Sequence, residues 1–137
     1  MNRRVVFDTS VLVRAVVTPR SWSRRALDVA RTEDWLLASE ATLNELSEVM
    51  MRPKFDRLVD LRLRIAFIKL YVTAVQMVPI HRRVAFCRDP KDDLFLEVAI
   101  NGRADCVVTE DDDMIDMCAI EGIPILTPAA FLDLNGP

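Results

Sequence analysis

Residues 92–113 read DDLFLEVAINGRADCVVTEDDD, and this stretch decides the fold. Residues 92–101 form a helical run that stops at Gly102. The β-branched CVVT at 106–109 then reads as a strand, and a helix feeding a short apolar strand is part of a parallel α/β unit. Directly after the strand stand four consecutive acids, Glu110, Asp111, Asp112 and Asp113, with no cation beside them in sequence. Charge gathered where a strand ends calls for a physical reason, because neighbouring carboxylates repel.

Working outward, strands and helices alternate. Arg4–Phe7 (RVVF) is a β-type run ending at Asp8, Thr9 and Ser10. Residues 21–31 carry Trp22, Ala26, Val29 and Ala30 at helical spacing, and Trp35–Ala38 (WLLA) is a second strand closed by the helix-capping Ser39. A helix follows over 40–51, its apolar face Leu43, Leu46, Val49 and Met50, and Pro53 terminates it. Residues 60–74 form another helix, with a stripe of Leu61, Ile65, Ile68 and Val72. Residues 76–80 suggest a third strand, confined by Pro79 to an edge. A short helix is expected at 114–119 and a fifth strand at Ile123–Leu126. The pattern predicts an α/β fold, three layers around a mainly parallel sheet of about five strands, in one domain over residues 1–137.

Composition narrows the function. The chain has 137 residues, 51% hydrophobic and 28% charged, which is globular composition. No apolar run is long enough to span a bilayer and no signal-peptide pattern opens the chain, so a cytoplasmic protein without membrane contact is expected. Three cysteines, Cys87, Cys106 and Cys118, form no C-x-x-C pair, and Cys106 reads as a buried thiol. A single histidine, His81, excludes most zinc sites and any Ser-His-Asp triad not built on it. The overall charge of −3 hides an asymmetry: residues 1–31 are net +5 and residues 89–116 net −8. One surface suits a polyanion and the other suits cations.

In parallel sheets, ligands bind at the carboxyl ends of strands near the switch in strand order. Asp8 follows the first strand, and Asp111 and Asp113 follow the fourth, so both sets belong to that edge. Asp93 opens the helix before the fourth strand, and Glu97 shares its helical face four residues on. Glu45 lies inside the helix after the second strand. Singly, each acid has an ordinary reading as a cap, a dipole partner or a solvated side chain. Together they are explained in one step by a shared divalent cation, and an all-oxygen ligand set favours Mg²⁺ or Mn²⁺ over zinc.

With those residues placed, the sequence resembles the PIN-domain ribonucleases, especially toxin-like proteins of the VapC-related type. The matching blocks are FDTSVLV at 7–13, TLNELSEVM at 42–50, DPKDDLFLEVAINGRADCVVTEDDDMI at 89–115 and IPILTPAAFL at 123–132. The resemblance implies a PIN-like α/β/α fold and a metal-dependent endoribonuclease with Asp8, Glu45, Asp93 and Asp111 as its acidic quartet. Metal ligation would fall to Asp8, Asp93, Asp111 and Asp113, with Thr9, Ser10, Glu97 and Thr109 in support. It further implies attack of metal-activated water on an RNA phosphodiester, a homodimer, and an antitoxin that covers the site. The chain departs from similar proteins at Lys91, where an acid is common, at Leu94, where lysine is common, and at Glu110, where glycine is common.

Arg14, Arg24 and Arg25 are the leading candidates for RNA contact, with Arg20, Arg52, Lys54 and Arg57 behind them. Trp22 among the arginines offers a stacking face, although a packed tryptophan is the commoner outcome. Two other readings stay open: a PIN-like scaffold that binds RNA or a partner without cutting it, and a nuclease acting on DNA. A phosphoacceptor receiver domain and a haloacid-type phosphatase fit poorly. The third-strand aspartate of the first and the second strand-one aspartate of the other have no counterpart here.

Overall fold

The computed structural model describes residues 2–134. Its centre is a six-stranded sheet of order β3-β2-β1-β4-β6-β5. The strands are β1 (Arg4–Phe7), β2 (Trp35–Ala38), β3 (Gln76–Met77), β4 (Cys106–Val108), β5 (Ala119–Ile120) and β6 (Ile123–Leu126). Every neighbouring pair is parallel except β5 with β6. The sheet thus gains one strand over the sequence expectation. The chain returns on itself after residue 118 through Glu121 and Gly122, both at positive φ, a reversal that leaves room for only a two-residue hairpin partner. The third strand is shorter than expected, two residues instead of five.

Side-chain alternation along the strands builds the two outer layers. Val5, Phe7, Cys106 and Val108 face one side and pack with α1 (Thr9–Val17), α2 (Trp22–Glu33), α3 (Glu40–Met50), α4 (Leu61–Ala74) and α7 (Pro128–Asp133). Val6, Leu37, Val107 and Ile125 face the other side and pack with α5 (Pro90–Asn101) and α6 (Asp112–Ile115). A period of two in β1 and β4 therefore feeds two separate cores. At the close of α5, Gly102 is required by space. A Cβ there would stand 2.7 Å from the Val98 carbonyl oxygen and 3.0 Å from Leu37 and Val78.

One helix was not expected from the sequence, and another is rotated from its expected face. The run Val11–Val13, Val16 and Val17 has strand-like composition but folds as α1, because Asp8 accepts the Val11 N–H and caps the helix as soon as β1 ends. On α4 the packed face runs through Arg64, Phe67, Ile68 and Tyr71, leaving Leu61 and Val72 of the expected stripe exposed. The fully buried Arg64 explains the rotation. Its guanidinium donates to the carbonyls of Val59 (3.1 Å), Met50 (3.1 Å) and Arg52 (3.3 Å) and pairs with Asp56 at 2.5 Å. It thereby ties the loop after α3 to α4.

Candidate active site

β1 and β4 are neighbours across which the strand order switches, and both end at the same edge. Asp8 leaves β1 there with only 4% of its surface exposed. Its Oδ1 accepts from Ser10 Oγ at 2.6 Å and from the Val11 N–H at 3.1 Å, while Thr109 Oγ1, at the end of β4, donates to Oδ2. Burial pushes the carboxyl up to about 6, against the opposing hydrogen bonds from Ser10, Thr109 and Val11, and the charge of Asp111 adds to the rise. Among the described residues Oδ2 accepts a single hydrogen bond, so one of its lone pairs remains for a further ligand.

The same hydroxyl network carries the next acid. Thr109 Oγ1 accepts the Asp111 N–H at 2.9 Å, and Ser10 Oγ accepts the Glu110 N–H at 3.2 Å. Asp111 caps α6 by accepting the Asp113 N–H at 2.9 Å through Oδ1. Its carboxyl is also hydrogen-bonded to that of Asp92, in the first turn of α5. Partial burial, then the charge and hydrogen bond of Asp111, then Asp89 and Asp8, raise Asp92 to about 7. Asp8, Asp92 and Asp111 therefore feel one another across the strand switch point.

Asp93, expected in that role, is turned elsewhere. It is 6% exposed, and its Oδ1 accepts the N–H groups of both Phe86 and Cys87 at 2.9 Å. Glu97, one turn on, is 8% exposed and accepts the Val84 N–H at 3.0 Å. The pair stitches the 84–87 segment onto α5, so its shared helical face serves the backbone. Asp92 lies one residue earlier, on the face that continues through Leu96 and Ala99 against the sheet. That i, i+4, i+7 alignment with buried residues was the available signal for choosing Asp92 over Asp93.

The remaining expected residues are dispersed. Glu45 is partly buried on α3, a helix that packs against α1 and α5. Asp113 is exposed and lines a hollow of about 210 Å³ with Phe86, Arg88 and Asp116. Thr9 Oγ1 is buried without a hydrogen-bond partner among the described residues. Arg14 and Arg25 line a second hollow beside Glu110, whereas Arg24 borders a groove between α2 and α4 and pairs with Asp28 at 3.3 Å. Trp22 is 57% exposed, not packed. Cys106 is buried and free, as expected, and His81 is exposed.

A divalent cation suits the chemistry of the donor set. The donors are carboxylates, burial and then the neighbouring like charges raise Asp92 to about 7, and Asp8 keeps an open lone pair. Among the described residues no three His, Cys, Asp or Glu side chains are grouped at metal-holding spacing. No helix of the described residues is long and apolar enough to cross a membrane.

Comparison with known proteins agrees with this architecture. The family described as PIN domain matches residues 4–113. Uncharacterized protein MJ1680 of Methanocaldococcus jannaschii is 28% identical over 117 residues, covering 83% of this chain and 74% of its own. The crystal structure of VapBC2 from Rickettsia felis, bound to a DNA fragment from their promoter, superposes with a TM-score of 0.62 at 11% identity, covering 90% and 98% of the two chains. PAE2754 from Pyrobaculum aerophilum also gives 0.62, at 16% identity over 98% and 91%. The PIN domain endonuclease Utp24 gives 0.55 at 18% identity over 90% and 84%.

Proposed function

Because the chain belongs to the PIN-domain family, we propose that it is an endoribonuclease that depends on Mg²⁺ or Mn²⁺ and serves as the toxin of a toxin–antitoxin pair. PIN domains are generally nucleases that use divalent metals. The observation that carries the reading is that Asp8 and Asp111 follow neighbouring strands at the switch between β1 and β4, with Asp92 close enough to feel the charge of both. In this reading Asp8, Asp92 and Asp111 hold the cation, with Asp92 in the place first given to Asp93. Glu45, on α3, is the fourth acid of this proposal. Ser10 and Thr109 fix the orientation of Asp8 through their hydroxyls. Arg14 and Arg25 draw in the phosphate backbone from the adjoining hollow. When bound, the cation supplies a lowered pKa for water and neutralisation of charge on the phosphodiester.

We also propose a single domain over 1–137, a cytoplasmic location, a homodimer and a covering antitoxin, the last supported by the likeness to the Rickettsia felis VapBC2 structure. The deciding experiment maps 5′ ends in total RNA incubated with the protein and Mg²⁺ or Mn²⁺, beside Asp8→Asn, Asp92→Asn and chelator controls. New ends that vanish in all three controls are expected. Ends equally abundant in the two variants would sink the reading.

A further inference from the structure

Beside the carboxylates lies a hollow of about 500 Å³ lined by Arg14, Thr18, Arg20, Trp22, Arg25 and Glu110. It adjoins the site through the backbone: the Glu110 N–H bonds to Ser10 Oγ, which donates to Asp8. Its chemistry is unusual for a phosphate path, because among the arginines stands one carboxylate held in a fixed position. Glu110 Oε2 accepts from Ser23 Oγ at 2.8 Å and lies 3.5 Å from Arg14 Nε. Among the described residues Oε1 has no hydrogen-bond partner, so it keeps its capacity to accept from a ligand. Trp22 supplies an aromatic face, 57% exposed even with the Arg25 guanidinium 4.9 Å from its ring centroid.

We infer that this hollow is a guanine subsite, which holds one base of a single-stranded substrate next to the scissile phosphodiester; the inference rests on the nuclease reading above. Three features select guanine. The carboxylate requires a base edge with N–H donors, which guanine supplies at N1 and N2. Uracil places two carbonyls around its single N–H and is repelled. Arginines require a paired acceptor edge, which guanine supplies at O6 and N7, whereas adenine pairs N7 with a donor amine. Cytosine has an amine and a carbonyl but gives Trp22 a smaller ring to stack. Glu110 is thus the residue that sets specificity.

The test needs neither metal nor cleavage. Trp22 fluorescence is followed in the full chain carrying Trp35→Phe, in chelator, while 5′-GMP, AMP, CMP or UMP is added. GMP should quench at about tenfold lower concentration than the other three. Glu110→Gln should bring the four within about twofold of one another. The exposed pair Arg20→Gln and Arg25→Gln should weaken GMP about tenfold, and carries the test should Glu110→Gln fail to fold. Equal quenching by all four nucleotides, no quenching, or a GMP preference untouched by these substitutions would overturn the subsite. Selective quenching by a protein that cuts no RNA would instead remove the nuclease reading and leave the subsite standing. Cutting without selective quenching would do the reverse.

Discussion

At the scale of the residue, Asp92 and Asp93 are adjacent acids with different partners. Asp93 accepts two backbone N–H groups, and Asp92 opposes Asp111. Their alanine variants should therefore separate activity from stability. Asp93→Ala leaves two part-buried donors without an acceptor, and urea unfolding should record a loss of roughly 1–3 kcal/mol. Its RNA cleavage, measured well below the unfolding midpoint, should stay within a few-fold of the parent. Asp92→Ala should reduce cleavage on the order of 100-fold. It should also raise the melting temperature of the metal-free protein at pH 8 by about 3 °C, since it removes one of two facing charges. If the two variants behaved in the reverse manner, Asp93 would be the functional acid.

At the scale of the element, α1 and α4 show what local pattern leaves open. A run rich in valine becomes α1 because its first turn is capped by Asp8 and its inner face fills the core with Val11, Leu12 and Ala15. Burial then overrides β-propensity. On α4, Arg64 is buried by the four partners that meet its guanidinium, none of which is visible from helical periodicity. Arg64→Ala should destabilise the fold by roughly 3 kcal/mol, because the Met50, Val59 and Arg52 carbonyls and the Asp56 carboxylate lose the buried guanidinium that pairs them. Chemical denaturation checks the value, and a loss below 0.5 kcal/mol on this scale would mean that water replaces the guanidinium.

At the scale of the whole molecule, the carboxylate edge sets a pH dependence. Asp8 holds its proton up to about 6 and Asp92 up to about 7, whereas an aspartate in the unfolded chain releases its proton near 3.9. Between about pH 4 and pH 7 the folded protein therefore binds more protons than the unfolded one, and stability falls as pH rises. Thermal melts of the metal-free protein should peak near pH 4–5, setting general acid unfolding aside, and drop by roughly 5–10 °C by pH 8. Saturating Mn²⁺ should restore most of that drop at pH 8, as a ligand bound only by the folded state must. In Asp8→Asn with Asp111→Asn, Mn²⁺ should shift the melt by less than about 1 °C. A metal-free protein equally stable at pH 5 and pH 8 would refute the crowding of charge.

The sequence by itself determined the α/β class, the order of most elements, and the sheet edge at which Asp8 and Asp111 meet. Those follow from hydrophobic period and from parallel connection, which act over a few residues. Only the tertiary structure decided that Asp92 and not Asp93 turns to Asp111, that Arg64 is internal, and that Trp22 stands open beside Glu110. Adjacent helical positions differ by about 100° in direction. Which of them meets a strand end depends on how the helix is rotated against the sheet. That rotation is set by packing among residues far apart in the chain, and no short stretch of sequence contains it.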